Sequence, residues 1–170
     1  MLLFSYGANS IKKIKERINK DDDIFFTKAY IDNHVRIFSG KSNRWNNGAI
    51  SSILYSNGNK VYGIALKLNE NELSKLNNFE KGYHLEEKDV IIKNKIVKCN
   101  VYIKDNNNYH TLPSSSYLLA INDMLNDRGI KDNRKIMITI VSNNKIITIG
   151  YWTELNGILL NINKKLNNEY

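Results

Sequence analysis

The stretch Leu2-Leu3-Phe4-Ser5-Tyr6-Gly7-Ala8-Asn9-Ser10 decides how the chain is read. Residues 2 to 6 form a short apolar run that halts at a glycine, and from Ser10 to Ile18 the pattern changes. There Ile11, Ile14 and Ile18 recur at helical spacing, with Lys and Arg between them. A strand, a tight turn and a helix follow in that order. At the turn, Gly7 and Ala8 carry no bulk to hold a ligand away from the backbone, and Asn9 tolerates unusual dihedrals. The helix N-terminus adds unpaired N–H groups with partial positive charge. The spacing fits two readings: a cradle for a small carboxylate or phosphate, or an ordinary strand-to-helix turn capped by Asn9 or Ser10.

Downstream, residues 24–31, 34–39, 48–55 and 59–68 are rich in Ile, Val, Phe and Tyr and are separated by turn formers such as Ser56-Asn57-Gly58-Asn59. They read as strands of a mostly antiparallel sheet. From Glu70 to Glu80 the period changes, with Leu73, Leu76 and Phe79 on one face and Asn69 placed as N-cap. Residues 84–93 and 95–103 pair as a hairpin across Lys93-Asn94-Lys95. Pro113-Ser114 opens a helix that runs to about Arg128 and stops at Gly129. Residues 135–141 and 145–152 form a second hairpin around Ser142-Asn143-Asn144, and 154–166 is read as a final helix. The expected architecture is α+β: a twisted, barrel-like, mostly antiparallel sheet with flanking helices and its edges hidden. No linker, repeat or like-charge block divides residues 1–170, so one domain is expected.

Composition narrows the function classes. With 42% hydrophobic residues, 25% charged residues and one proline, disordered and collagen-like classes are excluded. A chain of 170 residues buries roughly two-thirds of its unfolded surface, enough to hold a real pocket. The net charge of +8 raises the question of nucleic acid. Its lysines, however, lie scattered among asparagines rather than in a stripe with aromatics, so we read them as a solvated surface and expect no nucleic-acid partner. Abundant Lys and Asn, with Ile favoured over Ala, also fit the coding bias of an AT-rich genome. The one cysteine, Cys99, can form no internal disulfide or thiolate cluster, which points to a reducing compartment. The chain opens on Met1-Leu2-Leu3-Phe4 without a basic leader, and no apolar run approaches about 18 residues. A cytoplasmic protein with no membrane partner is expected.

A second site candidate is Glu80. It follows Phe79 and precedes Gly82, where a solvated helix end would more usefully carry Lys. Turned inward beneath Tyr83, a desolvated carboxylate suits proton transfer near neutral pH; turned outward, it is a surface charge like Glu86 and Glu87. His34, His84 and His110 lack HxH or HExxH spacing, so no metal site is read. Ser114-Ser115-Ser116 lacks the GxSxG context of a nucleophile elbow and reads as a helix cap. Arg44-Trp45-Asn46-Asn47-Gly48 either lines a pocket or simply turns. Neither a P-loop nor a dinucleotide fingerprint is present.

Several motifs occur in a telling order: Phe4-Ser5-Tyr6-Gly7-Ala8-Asn9, Gly48-Ala49, Val61-Tyr62-Gly63-Ile64-Ala65, Leu73 to Tyr83, Pro113 to Tyr117, and Asn126 to Ile130. Together they resemble the γ-glutamylcyclotransferase family over residues 2 to 130. The resemblance implies a compact barrel-like fold and a cofactor-independent enzyme. Such an enzyme releases 5-oxoproline and a free amine from a γ-glutamyl amino acid, a γ-glutamylamine or glutathione. It further implies that the loop Leu3, Phe4, Ser5, Tyr6, Gly7, Ala8 and Asn9 binds the γ-glutamyl group through backbone amides. In the same way Glu80 is the catalytic acid/base, and Tyr83 and Tyr117 are pocket residues. A monomer or homodimer is expected, with a small γ-glutamyl substrate as partner. A non-catalytic pocket protein, binding a small anionic metabolite or a protein partner, is the alternative. Three departures stand out: Ala8 replaces the family's usual Ser, Lys81 intervenes between Glu80 and Gly82, and residues 131–170, read as a hairpin and helix, diverge.

Overall fold

The computed structural model describes residues 1–105, 111–127, 129 and 136–160. Five strands close into a barrel in the order β1 (Leu2–Ser5), β3 (Gly48–Lys67), β2 (Phe26–Ser42), β4 (Tyr83–Ile92) and β5 (Lys95–Lys104). The pairings are antiparallel except the one that closes the ring, where β1 runs parallel to β5 with Leu3 opposite Asn100 and Phe4 opposite Val101. Strand alternation then divides the apolar residues between two cores. Phe4, Ile31, Ala65, Val90, Cys99 and Val101 meet inside the barrel. Their neighbours Leu3, Ile64 and Leu66 point outward into a second cluster that the helices cover.

The barrel has fewer and longer strands than the sequence spacing predicts. Residues 24–31 and 34–39 belong to one strand, β2 from Phe26, and 48–55 and 59–68 to another, β3. The register passes from Asp32 opposite Lys60 to His34 opposite Tyr55. Asn33, at φ 54°, takes the left-handed conformation there and accepts a 3.0 Å hydrogen bond from the Gly58 amide. The polar run Ser56 to Asn59, which reads as a turn, instead bulges out of a continuous strand.

Helix α1 (Ile11–Ile18) is capped by Ser10, whose hydroxyl accepts from the Lys13 amide, and buries Ile14 and Ile18. Helix α2 (Glu70–Asn77) opens on a capping box: the Asn69 side chain accepts from the Glu72 amide and Glu72 accepts from the Asn69 amide, each at 2.9 Å. This helix ends at Asn77 and does not reach Glu80. Its leucines supply the buried face, while Phe79 and Glu80 leave the helix in a looser turn. A second turn follows, in which the Tyr83 amide donates to the Glu80 carbonyl at 3.1 Å. Gly82, at φ 81°, occupies the third position of that turn, where a side chain would be strained. Helix α3 (Ser115–Asp127) starts from Ser114 and lays Tyr117, Leu118, Ile121, Met124 and Leu125 on the outer core.

Past α3, β6 (Ile136–Ser142), β7 (Lys145–Thr153) and β8 (Gly157–Leu160) form a separate three-stranded antiparallel sheet. Asn143 and Asn144, at φ 48° and 58°, make the two-residue turn of its hairpin. Ile136, Ile138 and Trp152 join the outer core beneath the helices. The final helix expected over 154–166 is not formed at its start: Gly157–Leu160 extend β7 instead, with Ile158 opposite Trp152. Residues 161–166 of that expectation lie outside the described residues. No described helix is long and apolar enough to cross a membrane.

Candidate active site

Where the loop after β1, the 3₁₀ turn Asn43–Trp45 and the turn between α2 and β4 converge, they enclose a cavity of about 380 Å³. Every residue singled out from the sequence reaches it: Leu3, Phe4, Ser5, Tyr6, Gly7, Ala8 and Asn9 along one wall, with Glu80, Tyr83 and Tyr117. Leu3 and Phe4 do so while their side chains fill the two cores. Arg44 and Trp45 also line it, so that loop forms pocket wall as well as turn.

The wall is shaped by local bonds. Ser5 Oγ donates to the Asn9 carbonyl at 2.8 Å, closing the loop on itself. Arg36 reaches the Tyr6 carbonyl through Nε at 3.1 Å and Nη2 at 2.7 Å. Gly7 passes so close to β3 that a Cβ there would lie 2.9 Å from Ser51 Oγ. Gly7 and Ala8 line the cavity, and no described residue accepts a hydrogen bond from their amides, so these donors are not spent within the loop.

Glu80 points inward but is not isolated. Its Oε1 accepts from Arg17 Nη1 at 2.7 Å and from Asn9 Nδ2 at 3.0 Å, and the two charged side chains are only 8% and 12% exposed. The turn that ends α2 gives the carboxylate its direction, and α1 gives it a partner. Burial lowers the Arg17 guanidinium from its usual range, and Glu80 opposes that shift; it remains charged at neutral pH. Removing one member of such a buried pair typically costs about 3–5 kcal/mol, because the other charge is left without compensation.

Three tyrosines, Tyr6, Tyr83 and Tyr117, fix the lining of the cavity. Tyr6 donates to the Tyr102 carbonyl at 2.6 Å, and Tyr83 donates to the Ser51 carbonyl at 2.7 Å. Tyr117 accepts from the Ser51 amide at 2.8 Å, and its ring meets Trp45 edge-on. Burial raises all three phenols, Tyr6 and Tyr83 well above their ordinary range. They therefore stay protonated around neutral pH and act as fixed hydrogen-bonding groups, not as bases. Among the described residues no group of three or more His, Cys, Asp or Glu could hold a metal ion.

Sequence reasoning missed Arg17, Ser51 and Tyr102. Arg17 carried no signal, since its partner lies 63 residues away and its neighbours Lys13 and Lys15 face solvent acids. Ser51-Ser52 did carry one: two buried hydroxyls interrupt the apolar stretch from Ala49 to Leu54, and buried hydroxyls need partners.

Residues 3–119 match the family model described as gamma-glutamyl cyclotransferase, AIG2-like. The chain belongs to this family. Among solved structures, a gamma-glutamyl cyclotransferase is 26% identical, with a TM-score of 0.67 over 76% of this chain and 80% of that one. An uncharacterized human protein, loc79017, is 28% identical, with a TM-score of 0.66 over the same shares. YkqA from Bacillus subtilis shares the fold at 18% identity, with a TM-score of 0.64 over 74% of this chain and 48% of YkqA. No curated protein matches the sequence significantly. The closed barrel with helices around it is thus the α+β fold of the gamma-glutamyl cyclotransferases, and family membership places the chain among enzymes of that type.

Proposed function

We propose that the chain releases 5-oxoproline and a free amine from a γ-glutamyl compound: a γ-glutamyl amino acid, a γ-glutamylamine or glutathione. Such a substrate contains its own nucleophile, because its α-amine can close a five-membered ring on the γ-carbonyl carbon. Glu80 takes a proton from the α-ammonium group. The freed amine attacks, the carbonyl electrons move onto oxygen, and the Gly7 and Ala8 amides hold that oxyanion. As the intermediate collapses, the bond to the leaving nitrogen breaks, Glu80 returns a proton to that nitrogen, and the ring nitrogen loses its second proton to solvent. No protein nucleophile and no cofactor enter these steps. The replacement of Ser by Ala8 leaves them intact, since only backbone donors are used.

The observation that carries this reading is that Glu80, Gly7 and Ala8 line one cavity, the two amides having no acceptor among the described residues. Cys99, as a single buried thiol, supports a cytoplasmic setting. A second reading draws on the Arg17 and Asn9 bonds to Glu80: a carboxylate already engaged suits a pocket that holds an anionic metabolite without turning it over. An assay for 5-oxoproline over γ-glutamyl amino acids, γ-glutamylamines and glutathione separates the two. Release that disappears in a folded Glu80→Gln variant supports the enzyme. Tight ligand binding with no release from any substrate favours the second reading.

A further inference from the structure

Glu80 is held at one oxygen only. Both of its hydrogen bonds, from Arg17 Nη1 and Asn9 Nδ2, converge on Oε1, and no described residue donates a hydrogen bond to Oε2. The third side of this triangle is a bond from the same Arg17 Nη1 to Asn9 Oδ1, at 2.5 Å. The bonding fixes every orientation: Asn9 must offer its amide nitrogen to the carboxylate and its oxygen to the guanidinium, since a flipped amide would set donor against donor and acceptor against acceptor. Arg17 is anchored in turn, with its guanidinium over the Phe79 ring at 5.3 Å from the centroid. Phe79 immediately precedes Glu80, so one cation grips the carboxylate by its charge and the adjoining residue by its ring.

We propose that Arg17 is a positioning residue for Glu80, holding Oε1 so that Oε2 alone faces the substrate for proton transfer. The proposal rests on the reading of Glu80 as the acid/base. It assigns a task at the site to an element, α1, that packs Ile14 and Ile18 into the core and joins α3 through the Ile11 amide and Asp127. It also separates Arg17 from the other cations of the cavity, Arg44 and Lys81: these have no carboxylate partner among the described residues, whereas the Arg17 donor is committed twice. Without Arg17, the carboxylate keeps only the Asn9 bond, which permits rotation about its terminal torsion and lets either oxygen drift from the reacting nitrogen. Misplacement of a catalytic group by about 1 Å can lower a rate on the order of 100-fold.

The test compares Arg17→Gln, Arg17→Lys and Glu80→Gln in the full chain with a γ-glutamyl substrate that the wild type turns over, measuring kcat and KM for 5-oxoproline release, with circular dichroism to confirm folding. Arg17→Gln should lower kcat on the order of 100-fold with KM nearly unchanged. Arg17→Lys keeps the charge but loses the planar fork, and should recover about tenfold of that loss. If Arg17→Gln instead raises KM while kcat is preserved, Arg17 binds substrate and the proposal is overturned; wild-type behaviour overturns it as well. Should Arg17→Gln fail to fold, Arg17→Lys decides alone: reduced kcat at constant KM supports positioning, and unchanged kcat or raised KM refutes it. Full activity in Glu80→Gln would sink the acid/base reading itself, whereas an inactive Glu80→Gln beside an unaffected Arg17→Gln would sink only the role of Arg17.

Discussion

The Tyr117 hydroxyl lies 2.8 Å from the Ser51 amide and 2.7 Å from Ser51 Oγ, so a residue of α3 and a residue of β3 together form the surface against which the Gly7 loop rests. Both groups are buried, which leaves the amide no water to turn to.

Tyr117→Phe keeps the ring and deletes the acceptor. The Ser51 amide is then buried without a partner, at a cost of about 1–3 kcal/mol. Equilibrium urea unfolding should register that loss. Because the support beneath Gly7 slackens, kcat for the proposed release of 5-oxoproline should fall by on the order of tenfold.

Gly7→Ala attacks the same contact from the other side. A methyl group would sit 2.9 Å from Ser51 Oγ and 3.5 Å from the Tyr117 hydroxyl. Overpacking of this kind costs about 1–3 kcal/mol, and relief by displacing the loop moves the backbone donors. Lower stability together with a raised KM is expected; a variant matching the wild type in both would show that the loop tolerates bulk.

Cys99 offers a prediction on pH. Burial pushes its thiol up to about 11 from an ordinary 9.0. The fold thus favours the protonated thiol, and this contribution to stability is complete below about pH 9 and fades as the pH rises through about 11. Alkylation by iodoacetamide at pH 8 should follow the rate of opening of the barrel, becoming rapid only in denaturant. Prompt labelling of the native protein would mean that the strand interior is accessible.

His84 makes the contrasting case on the exterior. Hydrogen bonds first to Asp105 and then to Glu86 raise its titration above the ordinary 6.5. The imidazolium's contribution is therefore full below that pH and is lost as the pH climbs past the raised value. An NMR titration of the ring should give a midpoint above 6.5 in the native chain, and Asp105→Asn should bring it down. An unshifted midpoint would show that solvent screens the pair.

What the sequence discloses is what neighbouring residues decide together. Helix α1 is legible because Ile14 and Ile18 share a face and Ser10 caps it, and α2 because Leu73 and Leu76 share a face and Asn69 caps it. Hairpin turns at Lys93-Asn94 and Asn143-Asn144 are legible for the same reason. Asn33 and Gly58 mislead, since the residue types that suit a chain reversal also suit a bulge, and only the register across β2 and β3 distinguishes them. Likewise β8 becomes a strand because β7 offers it an edge, a condition absent from residues 157–160 themselves. At the site, the loop and Glu80 stand out through an ordered series of motifs, whereas Arg17 gains its meaning only when α1 meets the turn after α2.

The parallel pairing of β1 with β5 has a consequence for how the protein comes into being. The loop at residue 7 leaves a strand of four residues that is clasped by Leu66 on one flank and by Asn100 on the other. During synthesis the residues of β1 must therefore wait for roughly a hundred more before their seat exists. The pocket at the end of β1 is finished only after α3, which carries Tyr117, has left the ribosome.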